Sequence, residues 1–228
     1  IWWWENPHPN HSPTSGWQRR NIKSSGANKH HDMLFGDFDG DNQTEFIYWN
    51  QDVKGLFLVN IPANPRTTQP WPGAALIFTA PDAKREGVAA ADIDGDGKVD
   101  LVGGGYWFKH NSGNNLTANL IEHGSYMRVA VGQLVPGGRP EIVHVPGDAN
   151  GQGRWFQWNG SKWIGNDLPL GTIKQGHSLE LGDVNGDGHL DIFIGEMRFP
   201  DSHNKSNPQA RTALLLGNGQ GGFTAEIV

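Results

Sequence analysis

The stretch Ala91-Asp-Ile-Asp-Gly-Asp-Gly-Lys-Val-Asp100 places four carboxylates within ten residues. Like charges at this spacing repel one another unless a cation or hydrogen-bond donors compensate them. The pattern recurs as GDFDGDNQTEFIYW from Gly36 and as GDVNGDGHLDIFIG from Gly182, and a degenerate copy, GQLVPGGRPEIVHV, begins at Gly132. Counted from the first acid or its replacement, the copies begin at positions 37, 92, 133 and 183. Periods of this size indicate a repeated structural unit.

Each copy lies within the same succession of short apolar runs. One run precedes the acidic loop and a second follows it, as RVAVG and IVHV do around the degenerate copy, and two further runs come later. Four short strands joined by Gly- and Asn-rich turns are typical of an antiparallel meander, which is the blade of a β-propeller. No helical periodicity competes with this pattern. We therefore predict an all-β chain of four-stranded antiparallel blades at 26–82, 83–124, 125–171 and 172–228, preceded by a half blade at 1–25.

The half blade is predicted from the similarity of IWWWENP and GWQRRNI to RWFQWNGSKWIGNDL, the third and fourth strands of a later blade. About four and a half blades do not close a ring, and open sheet edges would remain. We expect a part of a larger propeller with seven or eight blades, or missing strands that come from elsewhere. A clipped chain is the alternative. The chain begins with Ile rather than Met, which predicts a processed or trimmed product.

Composition narrows the function classes. The 228 residues carry a net charge of −6 and no long Lys/Arg run, which argues against a nucleic-acid partner. No apolar stretch reaches the roughly 18 residues that a membrane-spanning helix needs. The chain has no cysteine, so disulfides and thiolate metal sites are excluded.

The acidic loops follow the pattern Asp-x-Asp/Asn-x-Asp-Gly/Asn-x-x-Asp/Glu. Oxygen ligands at alternate positions of a tight loop suit Ca²⁺ better than a transition metal. An EF-hand would place Glu at the twelfth position, where this chain has Tyr48, Gly103 and Ile194, so the loops are not EF-hands. A solvated acidic turn without a metal is the alternative interpretation.

These repeats resemble the FG-GAP or VCBS calcium repeats, which occur in integrin α-subunit propellers and in many secreted bacterial and fungal proteins. The resemblance covers nearly the whole chain and implies structural Ca²⁺ in three loops and a secreted protein. The degenerate copy from Gln133 to Glu141 has lost its acids and is expected to be empty. The implied ligands are Asp37, Asp39, Asp41 and Glu45 in the first loop, Asp92, Asp94, Asp96 and Asp100 in the second, and Asp183, Asn185, Asp187 and Asp191 in the third.

A functional site is expected on the opposite rim of the blades. The start of each first strand lies roughly 20 Å from the acidic loop, at about 3.3 Å per residue. This rim carries four candidate acid/base and substrate-binding residues, namely His31, Tyr126, Arg128 and His177. Tyr126 and Arg128, two positions apart, are expected to share a strand face. The same rim receives the segment 196–211 and four aromatic residues that could stack on sugar rings, Tyr48, Trp49, Tyr106 and Trp107.

The architecture resembles propeller-type lyases that act on uronic-acid polysaccharides. This resemblance implies β-elimination, in which Arg128 neutralises the substrate carboxylate and His31 or His177 removes the neighbouring proton. Tyr126 or the second histidine would then protonate the departing glycosidic oxygen. Each residue also has a structural interpretation: Arg128 could instead bridge to Glu86 or Glu180, and the histidines could pack between blades.

Two other function classes remain open. A lectin-like or adhesion-like propeller would bind a glycan or a protein without catalysis, although rim residues that differ between blades favour a single central site. A scaffold attached to further blades or domains of the same parent protein is the third class. A catalytic Zn²⁺ on His30, His31 and His177 is conceivable only if blades approach across the axis.

Overall fold

The computed structural model describes residues 1–14, 16–198 and 207–228, and throughout these residues the secondary structure is strand, turn and bend. In the described residues no helix has the length and apolar content needed to cross a membrane. The described strands are β1 (Trp2–Glu5), β2 (Gln18–Asn21), β3 (His30–Gly36), β4 (Glu45–Asn50), β5 (Gly55–Asn60), β6 (Ala75–Thr79), β7 (Ala89–Ala91), β8 (Asp100–Gly103), β9 (Tyr106–Ser112), β10 (Asn115–Leu120), β11 (Met127–Gly132), β12 (Glu141–Pro146), β13 (Asn150–Trp158), β14 (Trp163–Lys174), β15 (Gly176–Gly182), β16 (Asp191–Glu196), β17 (Thr212–Gly217) and β18 (Phe223–Ile227).

The strands form one two-stranded sheet and four four-stranded sheets, each with its strands in chain order. Strands β1 and β2 pair with each other, and the larger sheets are β3–β6 (sheet 1), β7–β10 (sheet 2), β11–β14 (sheet 3) and β15–β18 (sheet 4). Every neighbouring pair is antiparallel. The prediction of an all-β chain built from four-stranded antiparallel sheets is confirmed.

The second strands of sheets 1, 2 and 3 each supply side chains to two different cores, whereas in β16 of sheet 4 Ile192 and Ile194 share one core and Phe193 is exposed. In β12, Ile142 packs in the core shared with sheet 2, whereas Val143 and Val145 pack in the core shared with sheet 4. Successive side chains of a strand point to opposite faces, so a strand covered on both faces needs an unbroken apolar run. This is why runs such as IVHV and FIYW show no polar alternation.

Four such cores join the sheets face to face in chain order. Phe46 and Trp71 pack against Trp3 of the two-stranded sheet, while Ile47 and Trp49 pack against sheet 2. Fully burying one large apolar side chain contributes about 1.5–3 kcal/mol. Each sheet is therefore stabilised mainly by the apolar side chains that it buries against the neighbouring sheets.

The outermost faces of the array keep apolar side chains in solvent. Trp2 and Trp4, which alternate with the packed Trp3, are 53% and 52% exposed. Phe193 and Ile227 of sheet 4 are also exposed. Apolar surface of this kind is left uncovered at both ends of the described array.

Candidate functional site

Three of the predicted site residues meet in one cluster of charged side chains at the starts of the first strands. Arg128, the second residue of β11, donates from one terminal nitrogen to Asp32 Oδ2 of β3 at 2.7 Å. The same nitrogen lies 3.1 Å from Glu86 Oε2, in the segment before β7. Its other terminal nitrogen lies 3.2 Å from His177 Nδ1 of β15. Each four-stranded sheet thus contributes to this cluster, which we call the axial network.

The hydrogen bonds of His177 fix its tautomer. An arginine has donors only, so the Nδ1 atom that faces Arg128 must accept and carries no proton. The proton is then on Nε2, which donates to Asp148 Oδ1 at 2.6 Å. Both ring nitrogens of His177 therefore already have a partner within the network.

Glu86 is the most deeply buried member of the axial network, with 0% exposure. Its Oε1 accepts from Gln51 Nε2 at 2.5 Å, and His31 Nδ1 lies 3.3 Å from the same oxygen. A buried carboxylate costs several kcal/mol unless it is paired and hydrogen-bonded. Arg128 is the permanently charged cation that offsets this cost.

The backbone turns sharply where the network is assembled. Asp32, Gly87, Tyr126 and Gln175, each at or just before the start of a first strand, have φ values of 40°, 75°, 57° and 56°. A non-glycine residue in this left-handed region is strained, and such strain is concentrated at sites that the surrounding structure fixes. A Cβ atom on Gly87 would also come within 2.5 Å of the Met127 carbonyl oxygen.

Tyr126 does not share a strand face with Arg128, so that expectation is wrong. Tyr126 precedes β11, and its left-handed φ breaks the two-residue alternation. Its carbonyl oxygen accepts from Gly147 N at 2.7 Å. Among the described residues its hydroxyl has no hydrogen-bond partner.

A polar pocket of about 320 Å³ opens beside the network. Asp32, Arg128 and His177 line it together with Ser178 and Glu180. Ser178 and Glu180 are exposed, and neither side chain has a partner among the described residues. The pocket therefore combines charges that are already paired with two free polar groups.

The rim aromatics expected to stack on sugars are not accessible. Tyr48, Trp49, Tyr106 and Trp107 are all buried. Trp49 donates from Nε1 to the Gly87 carbonyl oxygen at 2.9 Å, which joins sheets 1 and 2. Strands covered on both faces leave no outward position for these rings. Of the predicted rim segment 196–211, residues 199–206 lie outside the described part of the chain.

The histidines do not form a three-histidine metal site within the described residues. His30 packs edge-on against Tyr48 with ring centroids 5.2 Å apart. Burial, followed by the N-terminal ammonium and Lys23, lowers the pKa of His30 to about 4. His31, Asp32 and Glu86 do present ligand atoms within 4.8 Å of one another. However, the Arg128 guanidinium contacts both of these carboxylates and would repel a cation.

The first acidic loop has the donor set for a hard cation. One oxygen from each of its four acids lies within 4.8 Å of the others. The buried Glu45 accepts from Phe38 N through Oε2 at 2.9 Å, whereas its Oε1 has no partner. Burial raises the pKa of Glu45, and the nearby Asp39, Asp41 and Asp37 carboxylates act in the same direction. An unpaired buried carboxylate oxygen among three further carboxylates fits Ca²⁺.

The second loop has a similar cage and an additional internal cation. Asp92, Asp94 and Asp100 lie within 4.8 Å of one another, and Asp94 Oδ1 is buried without a partner. Asp96 is outside this group, with its Oδ2 2.8 Å from Lys109 Nζ. Hydrogen bonding to Asp94 and then to Asp96 raises the pKa of Lys109. The residues fit a cation, but a lysine already contacts two of the carboxylates.

In the third loop, backbone N–H groups donate to the first acid, but the acids do not form a cluster as close as those of the first two loops. Asp183 accepts from Gly186 N and Gly188 N at 2.7 and 2.9 Å. Asn185 stands where the other two loops have an acid, and its Nδ2 donates to Asp187 Oδ2 at 2.9 Å. Within the described residues, no three acids of this loop come within 4.8 Å of one another.

The degenerate copy has the same loop position but is closed by hydrogen bonds from an amide and to a single carboxylate. The side-chain amide of Gln133 donates to the carbonyl oxygens of Val135 and Gly137 at 2.5 and 3.1 Å. Glu141, the retained ninth residue, is buried and accepts from Leu134 N and Val135 N at 2.9 and 3.1 Å. The ninth acid therefore has a role in fixing the backbone that is independent of metal, and burial raises its pKa.

The comparisons with known proteins follow the repeats. A sequence model of the FG-GAP-like repeat matches residues 37–103 and 138–194, more than half of the chain. Among solved structures, the chain is similar to the crystal structure of the biofilm matrix protein Bap1 of V. cholerae, with 14% identity and a TM-score of 0.39. The match covers 81% of this chain and 34% of that chain, so this chain spans about a third of that protein's length. No curated protein sequence matches the chain.

Proposed function

The chain belongs to the FG-GAP-like repeat family, and we propose that it is a calcium-stabilised propeller segment that binds a neutral glycan. The binding site in this proposal is the pocket beside the axial network. Ser178, Glu180 and the outer atoms of Asp32 would accept and donate hydrogen bonds to sugar hydroxyls. No catalytic step is needed for this function.

The contact between sheets 1 and 3 supports the propeller arrangement. Face-to-face sheets are about 10 Å apart, so a straight stack would separate sheets 1 and 3 by about 20 Å. Asp32 of sheet 1 nevertheless lies 2.7 Å from Arg128 of sheet 3. This contact supports an arrangement in which the sheets fan out from an axis near their first strands. The exposed apolar faces at both ends of the array fit further blades of the same parent protein.

The calcium part of the proposal rests on the two unpaired carboxylate oxygens. In the first loop Asp37, Asp39, Asp41 and Glu45 would hold the ion, and in the second loop Asp92, Asp94 and Asp100 would do so. The third loop would use Asp183, Asn185, Asp187 and Asp191. A bound ion supplies positive charge that offsets the repulsion between these acids and so stabilises each loop.

The observation that carries the binding function is that the axial network is closed. Arg128 is shared by Asp32, Glu86 and His177, so its charge is already engaged and would have to leave these partners to neutralise a substrate carboxylate. Both ring nitrogens of His177 already have partners, in Arg128 and Asp148, so a substrate atom would have to displace one of them. These contacts favour rigid recognition over β-elimination.

The negative charge around the pocket favours a neutral ligand over an anionic one. Among the residues that line the pocket, Asp32 and Glu180 carry negative charge and Arg128 carries positive charge that is already shared with Asp32 and the buried Glu86. An anionic polysaccharide would therefore be repelled, whereas a neutral sugar can donate its hydroxyls to the carboxylates. This favours neutral glycans over the uronic-acid polymers expected from the lyase resemblance. We also propose an extracellular location, where such glycans are encountered.

A glycan array probed with the calcium-loaded protein tests this function. The wild type should bind neutral glycans, and Glu180→Gln should weaken binding by about tenfold, as expected for loss of one charge-assisted hydrogen bond. Glu226→Gln, which removes an exposed carboxylate from β18, is the matched control and should leave binding unchanged. Binding restricted to acidic glycans, or none at all, would contradict the proposal.

A further inference from the structure

The second acidic loop differs from the first in having a lysine within its carboxylate cluster. Lys109 Nζ contacts Asp94 and lies 2.8 Å from Asp96 Oδ2. In the first loop all four acids lie within 4.8 Å of one another, whereas in the second loop Asp96 is missing from the corresponding group. The lysine therefore holds one potential ligand away from the cage.

The position of Lys109 is specific to sheet 2. Leu101 pairs with Phe108, which places Lys109 opposite Asp100, the ninth residue of the loop. The residue opposite the ninth acid is neutral in sheets 1 and 3: Asn60 pairs with Glu45, and Gln157 donates to Glu141 at 3.4 Å. The chain itself thus shows that a neutral amide is accepted at this position.

We propose that Lys109 is an internal latch that closes the second loop without calcium and competes with calcium for Asp94 and Asp96. The inference rests on the proposed calcium role of these loops. An ammonium group and a divalent cation repel each other at contact distance, so calcium must displace the lysine before Asp96 can join the cage. The second loop then binds calcium more weakly than the first and keeps its shape when calcium is scarce.

One oxygen of Asp94 has no hydrogen-bond partner, so an ion can still bind there while Lys109 contacts the other oxygen. Lys109 contacts Oδ2 of Asp94, while Oδ1 of the same carboxylate is buried without a partner. The cage of Asp92, Asp94 and Asp100 is therefore assembled but incompletely compensated. Calcium binding completes it at the cost of releasing Lys109.

Terbium luminescence isolates this loop, because Trp107 donates from Nε1 to Asp100 Oδ2 at 2.9 Å and can sensitise an ion there. Lys109→Gln should lower the terbium and calcium concentrations that half-fill this site by about tenfold or more. Lys98→Gln is the control, since the Lys98 ammonium donates to the Asn111 carbonyl oxygen at 2.5 Å and the bond that Lys98 makes to Asp96 Oδ1 comes from its backbone N–H, which the substitution keeps. Asp92→Asn, which removes a ligand, should abolish the signal and so assign it.

Hydrogen exchange in a chelator gives a second readout. Residues 92–100 should stay protected in the wild type and exchange as fast as residues 37–45 in Lys109→Gln. An unchanged calcium affinity together with unchanged exchange in Lys109→Gln would overturn the latch while leaving the calcium role of the other loops intact. Calorimetry that detects no calcium at any loop would overturn both.

Discussion

The substitution Arg128→Met tests whether the axial network is a structural device that joins the four four-stranded sheets. Methionine keeps the length and the apolar stem of arginine but removes its charge and its donors. The buried Glu86 carboxylate then loses the cation 3.1 Å from Oε2, and Asp32 loses a hydrogen bond of 2.7 Å. Removing one partner of a buried ion pair costs about 3–5 kcal/mol.

Two groups stay next to Glu86 in the variant, so we expect the loss of folding free energy to lie near the lower end of the range of about 3–5 kcal/mol. Gln51 still donates to Oε1, and His31 Nδ1 lies 3.3 Å from the same oxygen. We expect a loss of about 3 kcal/mol. For a chain of this size that corresponds to a fall in Tm of about 6–12 °C.

Thermal and urea unfolding with calcium present would measure this loss. Arg154→Met is the matched control, because Arg154 also makes two ion pairs but its side chain is 46% exposed. Exposed ion pairs contribute at most about 1 kcal/mol. Adding Glu86→Gln to Arg128→Met should recover part of the lost stability, since the uncompensated charge is then gone. Equal effects of the two arginine substitutions, or no recovery in the double variant, would refute the reasoning.

Three further predictions concern pH, the degenerate loop and the metal. The pKa of His30 is lowered from 6.5 to about 4, so the unfolded chain takes up this proton at a higher pH than the folded state does. The free energy of unfolding should therefore fall by at most about 3 kcal/mol as the pH drops from 6.5 to about 4. His30→Gln should flatten this fall when it is measured by urea unfolding. Glu141→Ala should cost about 2–4 kcal/mol by leaving one buried and one partly buried N–H group without an acceptor, while Glu141→Gln should cost less than about 1 kcal/mol, with equal losses in calcium and in chelator. Chelation should remove about 2.7 kcal/mol for each site that was held at 100-fold its Kd, and Glu45→Gln should reduce the resulting shift in Tm.

The sheets could be predicted because the apolar runs and the acidic loops repeat together. The exposure of the rim aromatics could not, since a run such as FIYW fits a strand with one covered face or two. The structure shows that Tyr48 and Trp49 point into different cores, so both are buried. The length of β14, which continues to Lys174 past a bulge opposite Gln152 and Arg154, was also not signalled by the run KWIGNDL.

The sequence pattern indicates the basic residues of the axial network more readily than its acidic ones. His31, Arg128 and His177 do come together, and Arg128 forms the bridge to Glu86 that was left open, whereas Glu180 makes no ion pair with it. The partners Asp32 and Asp148 were overlooked. Asp32 adjoins His31 in the motif KHHD and could have been noticed there. Asp148 lies in a loop between strands, where only the fold reveals its distance from His177.

The contact of Lys109 with the second loop could not be read from the motif itself. Lys109 is nine residues beyond Asp100, and only the pairing of β8 with β9 brings it opposite that acid. A comparison of the residues that follow each loop would have shown one cation among the neutral residues Asn60 and Gln157. Long-range pairing, rather than local pattern, decides which charges meet.

The most direct test of the central claim is one calorimetric titration of the calcium-loaded protein with neutral and with uronic-acid oligosaccharides, while the ultraviolet absorbance of an unsaturated product is recorded. Our account predicts saturable heat from a neutral oligosaccharide at one site per chain, weakened by Glu180→Gln, and constant absorbance with every ligand. A rise in absorbance on a uronic-acid substrate that disappears in Arg128→Met would contradict it, because Arg128 would then be free to serve catalysis rather than to close the axial network.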